Sequence, residues 1–130
     1  MIGMFSFLRE IFGKTSSDNQ NQTKKKNAVP ANREDIDLAI ECIDWITSTM
    51  SETDNWRVGF SRMKSYIIDY PNSYGMSMAR DSWESMQGGY GSWSDYYIPH
   101  EDFETQKKLN EELQSYCSAL VSALSAYSLE

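Results

Sequence analysis

The sequence predicts an all-α protein, a compact bundle of about four helices with a glycine- and aromatic-rich loop before the last helix. Three observations support this fold class. Apolar residues recur every three or four positions in four successive segments, residues that cap helices precede those segments, and proline or glycine follows two of them. Because the 130 residues are 40% hydrophobic and 13% aromatic, they can fill one packed core.

A short amphipathic helix and a flexible linker are predicted ahead of the bundle. Residues 1–13 form that helix, because Phe5, Leu8, Ile11 and Phe12 recur at helical spacing and Gly13 can end it. Residues 14–31 are polar and basic, contain Lys24-Lys25-Lys26, and form the linker. The predicted all-helical domain covers residues 32–128.

The first two helices of the bundle follow from their caps and apolar stripes. Asn32 can cap a helix over residues 33–50, with Asp35 near the capping-box position. Its apolar face consists of Ile36, Ala39, Ile40, Ile43, Ile46 and Met50. Residues 51–54 offer a second cap, and the second helix ends before Pro71. Its stripe consists of Trp56, Phe60, Met63, Ile67 and Tyr70.

The last two helices lie on either side of the irregular loop. The third helix ends at Gly88-Gly89, after a stripe of Met76, Ala79, Trp83 and Met86. The fourth helix follows Glu101 and is the longest, with a stripe of Leu109, Leu113, Tyr116, Leu120, Leu124 and Tyr127. A β-hairpin over residues 90–98 is the alternative for the loop between them.

The uneven charge of the chain bears on its partners. Residues 1–31 hold five Lys or Arg against two Asp or Glu, giving +3. The rest holds seven against seventeen, giving −10, and the two parts sum to the net charge of −7. Because an acidic surface repels phosphate backbones and attracts cations, we expect a basic protein partner and no nucleic acid.

The sequence carries no recognisable catalytic apparatus, so we predict a protein that is not an enzyme and that needs no cofactor or metal. The hydrolase, nucleotide-binding and zinc-protease motifs are all missing. His100 is the single histidine and has no nucleophile beside it. Cys42 and Cys117 lie inside helical patterns, where buried free thiols are expected.

Four acidic residues of the first helix are candidate partner-binding residues. Glu34, Asp37, Glu41 and Asp44 follow one another at spacings of three and four, so they share one face of the helix. Such a face is either simply solvated or a docking surface for a basic partner. No Glu-x-x-His pair accompanies it, which argues against a metal centre inside the bundle.

The loop before the last helix supplies the other candidates. Tyr90, Trp93, Tyr96 and Tyr97 are crowded beside glycines, and Asp95 can brace the loop. Tyrosine and tryptophan are common at binding hot spots because they combine a large contact area with a hydrogen-bonding tip. The alternative is that these rings plug one end of the bundle.

The chain is predicted to be cytoplasmic. The opening residues lack the features of a signal peptide, and no later stretch approaches the roughly 20 apolar residues of a membrane span. We therefore expect no stable membrane insertion. The amphipathic helix of residues 1–13 and the nearby lysines allow weak peripheral contact with a membrane surface.

The loop resembles the GGMGSxND-type motif of a family of small, uncharacterised bacterial proteins. The motif is written here as Gly88-Gly89-Tyr90-Gly91-Ser92-Trp93-Ser94-Asp95, with Tyr90 in place of Met and Ser94 in place of Asn. The likeness extends from about Asp35 to Leu124. Proteins of this kind are often encoded near toxin systems, so the resemblance implies an immunity protein that occludes a cognate effector toxin.

Two other functions remain open at this point. A non-catalytic adaptor or regulatory protein would dock through its N-terminal helix, so deletion of residues 1–28 would abolish partner binding and leave the core folded. An enzyme that reverses a toxin's modification would depend on a carboxylate or on His100. Its turnover would separate it from both binding functions.

Overall fold

The computed structural model describes residues 25–87 and 92–127, and it confirms the predicted bundle of four helices. The helices are α1 (Arg33–Ser48), α2 (Asn55–Asp69), α3 (Ser73–Ser85) and α4 (Phe103–Leu124), and a 3₁₀ turn, Trp93–Asp95, precedes α4. In the described part of the chain the only β-type pairing is an isolated bridge between Pro30 and Asn72, so residues 92–98 form no hairpin. The predicted helix of residues 1–13 lies outside the described residues.

Each helix begins at a residue whose side chain caps it. Asn32, Asp54, Asn72 and Asp102 precede the four helices in extended conformation, and a side-chain oxygen of each accepts a backbone N–H of the first turn. The oxygen-to-nitrogen distances are 2.8 Å for Asn32 and 2.9 Å for Asp54. Because the first N–H groups of a helix have no partner within it, these caps fix where each helix starts.

The helices form a ring of neighbours around one core. Helix α1 packs against α2 and α4, and α3 packs against α2 and α4. The interior consists of apolar side chains from all four helices, and the largest fully buried ones are Phe60, Ile43, Ile46, Met63, Ile67, Met76, Leu120 and Leu124. Outside this core, Trp45 of α1 stacks on Tyr116 of α4, with ring centroids 4.4 Å apart. This stack adds a contact between the two helices outside the core.

Helices α2 and α3 meet at a tight corner that depends on Gly75. A Cβ atom at this position would overlap the carbonyl oxygen of Tyr70 and would lie 2.5 Å from that of Tyr66. Both atoms belong to the backbone, so no side-chain movement could relieve the clash. The short link over Pro71 and Asn72 therefore requires glycine in the first turn of α3.

The last residues of the predicted linker contact the bundle at this same corner. The backbone N–H of Val29 donates to Ser73 Oγ at 3.0 Å, and the Ser73 N–H donates to the Val29 carbonyl at 2.8 Å. The Lys25 ammonium donates to the Tyr70 hydroxyl at 3.1 Å. Residues 25–31 are therefore anchored to the helical domain. The limits of that domain, residues 32–128, stay a prediction.

The two ends of the described bundle are joined by one tyrosine. The hydroxyl of Tyr127 accepts the backbone N–H of Asn32 at 3.0 Å and donates to Asp35 Oδ2 at 2.7 Å. Burial and the hydrogen bond to Asp35 raise the pKa of Tyr127 above its ordinary value. Tyr127 thus attaches the segment after α4 to the start of α1.

Candidate functional site

The four acidic residues predicted on α1 all lie at the surface. We call the exposed side of α1 formed by Glu34, Asp37, Glu41 and Asp44 the acidic face. It lies opposite the core side of the helix, which buries Ile36, Ala39, Ile43 and Ile46. The helical period thus separates four carboxylates from the apolar residues that hold α1 in place.

Two cations lie at the margin of the acidic face. Arg33 Nε is 3.3 Å from Asp37 Oδ1, and Lys64 Nζ is 2.7 Å from Asp44 Oδ1. The two aspartate side chains are 62% and 51% exposed, so water weakens both ion pairs. With four carboxylates and two cations, the acidic face with its margin carries a formal charge of −2.

Trp93 lies in the interior, unlike the acidic residues. Its side chain is only 5% exposed, and its ring meets those of Phe60 and Trp56 edge-on at centroid distances of 4.9 and 5.7 Å. Its backbone N–H donates to the Met86 carbonyl at 2.9 Å. Trp93 therefore closes one end of the core and anchors the loop to it.

Tyr96 rests on Trp93 and reaches the end of α1. The two rings are stacked, with centroids 4.6 Å apart and planes 13° apart. The Tyr96 hydroxyl lies 3.2 Å from Thr49 Oγ1, beside the last turn of α1. Tyr96 is half-buried, and the next residue, Tyr97, is 60% exposed. The loop thus holds one tyrosine against the bundle and turns the other outward.

The end of this loop is held by Asn110, which the sequence patterns did not single out. Its side-chain oxygen accepts the Ile98 N–H at 2.8 Å, and its amide nitrogen donates to the Ile98 carbonyl at 2.9 Å. Ile98 itself is buried. Asn110 therefore satisfies both backbone groups of Ile98 and fixes where the chain leaves the loop.

An open groove of about 460 Å³ lies at this end of the bundle. One wall is formed by residues 53–56, at the start of α2, and the other by Ser92 and residues 95–97. We call it the end groove. It brings together three predicted binding residues, Asp95, Tyr96 and Tyr97, whereas Tyr90 lies outside the described residues.

The first wall of the end groove was not among the binding residues predicted from the sequence. The sequence predicts residues 53–56 only as part of a helix start and Trp56 only as part of a core stripe. In the structure Trp56 is half-buried and lines the groove. Its position in the first turn of α2 is the signal that could have marked it as a residue at the edge of the core.

The two cysteines and the histidine have environments that stabilise the fold: Cys42 and Cys117 are buried or partly buried, and His100 forms a hydrogen bond ahead of α4. Burial raises the pKa of the Cys42 thiol to about 11, with smaller contributions from Glu41 and Cys117. Burial also raises the pKa of Cys117. His100 Nδ1 accepts the Asp102 N–H at 3.0 Å just before α4. Within residues 25–87 and 92–127 no three metal-ligating side chains come together.

None of the helices in the described ranges combines the length and the apolar composition needed to cross a membrane.

Comparison with protein-family models, with curated proteins and with solved structures gives no match. The likeness to the GGMGSxND-type family therefore stays a prediction from the loop residues.

Proposed function

We propose that this chain is a binding protein that captures a basic protein partner, and that this partner is a bacterial effector toxin that it neutralises by occlusion. The observation that carries the proposal is the acidic face, four exposed carboxylates along one side of a single helix. The toxin as the partner comes from the resemblance of the loop over residues 88–95 to a family often encoded near toxin systems.

The charge of the whole bundle supports a basic partner. Residues 32–127 hold seven Lys or Arg against sixteen Asp or Glu, a net charge of −9. A field of one sign speeds the encounter with an oppositely charged protein and disfavours partners of the same sign. An inhibitor must capture its toxin before the toxin reaches its target, so a fast encounter favours this role.

The rigidity of α1 also supports a binding role. The helix is capped by Asn32, packed against two other helices and joined to Tyr116 through Trp45. Its carboxylates therefore need little backbone ordering when a partner arrives, which lowers the entropic cost of association.

The experiment begins with affinity capture from the native bacterium, using the tagged full-length chain. Each basic protein recovered is then expressed in a test host, alone and together with the chain. We expect one of them to be toxic alone and harmless when the chain is present. Recovery of a housekeeping complex without any protection would contradict the toxin assignment and would favour the adaptor function.

A matched pair of charge reversals then tests the acidic face. The double variant Glu34→Lys with Glu41→Lys should bind the captured toxin at least tenfold more weakly at low salt, with a shallower salt dependence. The control is Glu104→Lys with Glu111→Lys on α4, which has the same spacing, the same first-turn position and the same change in net charge. Equal losses in both variants would show a general charge effect and would rule out the acidic face as the contact.

A further inference from the structure

Partly exposed apolar side chains follow the surface where α1 meets α4. Trp45 of α1 and Tyr116 of α4 stack on each other there, and both are only half-buried. Leu38, two turns before Trp45 on α1, is 36% exposed. Ala119, one turn after Tyr116 on α4, is half-buried. We call these four residues the α1–α4 strip.

Two contacts show that the strip follows one seam between the helices. The Tyr127 hydroxyl, just after α4, donates to Asp35 in the first turn of α1, and Tyr116 stacks on Trp45 ten residues further along α1. The helices therefore run antiparallel beside each other over this length. Leu38 lies between the two contacts, and its separation of seven residues from Trp45 places both on one side of α1.

Carboxylates border the α1–α4 strip on both helices. Glu34 and Glu41 of the acidic face lie four residues before and three residues after Leu38, and both are exposed. Glu112, also exposed, lies four residues before Tyr116 on α4. Residues three or four apart are neighbours on a helix surface. The strip is therefore an apolar surface with an acidic border.

The predicted N-terminal helix, residues 1–13, matches the strip in length. Its apolar stripe runs from Phe5 to Phe12, a separation of seven residues, the same as that between Leu38 and Trp45. Seven residues of helix span about 10 Å, so both ends of the stripe can meet an apolar side chain of the strip. A helix this short is marginal in water by itself and needs an apolar surface to lie on.

The charges of the same segment complement the acidic border. Arg9 follows the stripe residue Leu8, and Lys14 follows the predicted helix. The one acidic residue in this stretch, Glu10, lies two positions after Leu8, about 200° around a helix and so on the side away from the stripe. Docking of the stripe therefore brings basic side chains toward the border and keeps the carboxylate away from it.

The start of the described chain allows this contact. Lys25 is held at the corner of α2 and α3 by the Tyr70 hydroxyl. Residues 14–24 connect it to the predicted helix, and eleven residues span up to about 36 Å when extended. Axes of packed helices are about 8–10 Å apart, so the opposite side of a four-helix bundle is roughly 20 Å away. The connection is long enough to reach the strip.

We propose that the predicted N-terminal helix docks on the α1–α4 strip of its own chain, with Phe5, Leu8, Ile11 and Phe12 against Leu38, Trp45 and Tyr116. The occupant of the strip is thus a segment of this chain, and the bundle has a fifth helix. The proposal does not depend on the toxin partner, because the contact forms within one molecule.

Two-dimensional ¹H–¹⁵N NMR of the full chain tests the docking from the side of the N-terminal segment. Leu8→Glu with Phe12→Glu should shift the Trp45 indole N–H and the backbone amides of residues 38–45 and 112–119. The matched control is Gly3→Glu with Ser6→Glu, which changes the net charge equally at positions away from the stripe. It should leave these signals unchanged.

Hydrogen exchange tests the docking from the side of the bundle. Leu38→Glu should speed exchange at the backbone amides of residues 8–12 at least tenfold, because the undocked helix opens more often. Val58→Glu is the matched control, since Val58 is also an exposed apolar residue, 62% exposed, but lies on α2. It should leave the exchange unchanged.

Three results would overturn the proposal. Residues 8–12 of the original chain exchanging as fast as in an unfolded peptide would show that the segment is not docked. Shift changes confined to amides outside residues 38–45 and 112–119, or equal effects of Leu38→Glu and Val58→Glu, would place the segment elsewhere. Protection that rises with chain concentration would assign the contact to a second copy. The measurements use no toxin, so they cannot fail for lack of toxin binding.

Discussion

At the scale of single residues, Gly75 leaves no room for a side chain. A methyl group there would meet two backbone carbonyl oxygens at the corner of α2 and α3. We expect Gly75→Ala to lower the free energy of unfolding by about 3 kcal/mol or more, because the backbone must move and the corner is buried. Urea unfolding followed by circular dichroism measures the change.

Gly59 provides the control for this prediction. It lies inside α2, and the nearest atoms to a Cβ placed there all belong to the Met86 side chain, with its sulfur closest at 3.2 Å. A methionine side chain can shift, and alanine favours a helix over glycine by about 1 kcal/mol. Gly59→Ala should therefore keep or slightly increase stability. A similar loss in both variants would show that the corner is no more constrained than the middle of the helix.

Asn110 is a second residue whose role depends on geometry. Its carboxamide satisfies both the N–H and the C=O of Ile98, so Asn110→Ala leaves two buried backbone groups unpaired. We expect a loss of about 2 kcal/mol in the free energy of unfolding and faster hydrogen exchange at the Ile98 amide. Asn110→Asp keeps the acceptor and removes the donor, so its exchange rate should be intermediate. An unchanged exchange rate in Asn110→Ala would contradict this role.

At the scale of helices, the stability that the Asp102 cap gives to the start of α4 should depend on pH. The Asp102 carboxylate accepts the side-chain hydroxyl and the backbone N–H of Thr105, and these hydrogen bonds lower the pKa of Asp102. A carboxyl group with a lowered pKa in the folded state stabilises that state above its unfolded pKa of about 3.9. The contribution is lost as the pH falls through the lower, folded-state value.

Asp102→Asn isolates this effect, because asparagine still caps the helix and does not titrate. We expect the Tm of the original chain to exceed that of the variant near pH 6 and the difference to shrink as the pH falls below about 4. Thermal unfolding across this pH range measures it. A constant difference at all pH values would mean that Asp102 does not contribute through its charge.

Most helix boundaries could be predicted because they depend on local rules. The cap residues Asn32 and Asp54, and Pro71 after α2, mark ends that the structure reproduces within two residues. The contacts of residues 25–31 with Ser73 and Tyr70 could not be predicted, because they join positions about 44 residues apart. Sequence periodicity carries no information about such distant pairs.

The candidate site was predictable to a similar extent. Helical spacing alone indicated that Glu34 and Glu41 share one side of α1, and both are exposed. In the loop, periodicity could not distinguish the buried Trp93 from the exposed Tyr97, because the chain there is irregular. Their different environments depend on the stack over Trp93 and on the anchoring of Ile98 by Asn110, which are tertiary contacts.

At the scale of the whole molecule, the packed core should protect its thiols. Cys42 is fully buried and its pKa is about 11, so about one thiol in a thousand is ionised at pH 8. We expect Cys42 in a Cys117→Ser background to react with iodoacetamide at least 100-fold more slowly in the native chain than in urea. Mass spectrometry measures the rate, and similar rates in both conditions would contradict a tightly packed core.

The contact of Tyr127 with Asn32 and Asp35 also determines how the chain can be joined to a fusion partner or a surface. The start of α1 and the segment after α4 meet there, at one pole of the bundle. Helix α1 leads away from it over 16 residues, about 24 Å, to Thr49, which contacts Tyr96 beside the end groove. A fusion or a surface linkage at either terminus of the bundle therefore leaves the opposite pole facing outward, where an incoming molecule can reach the groove without passing the tether.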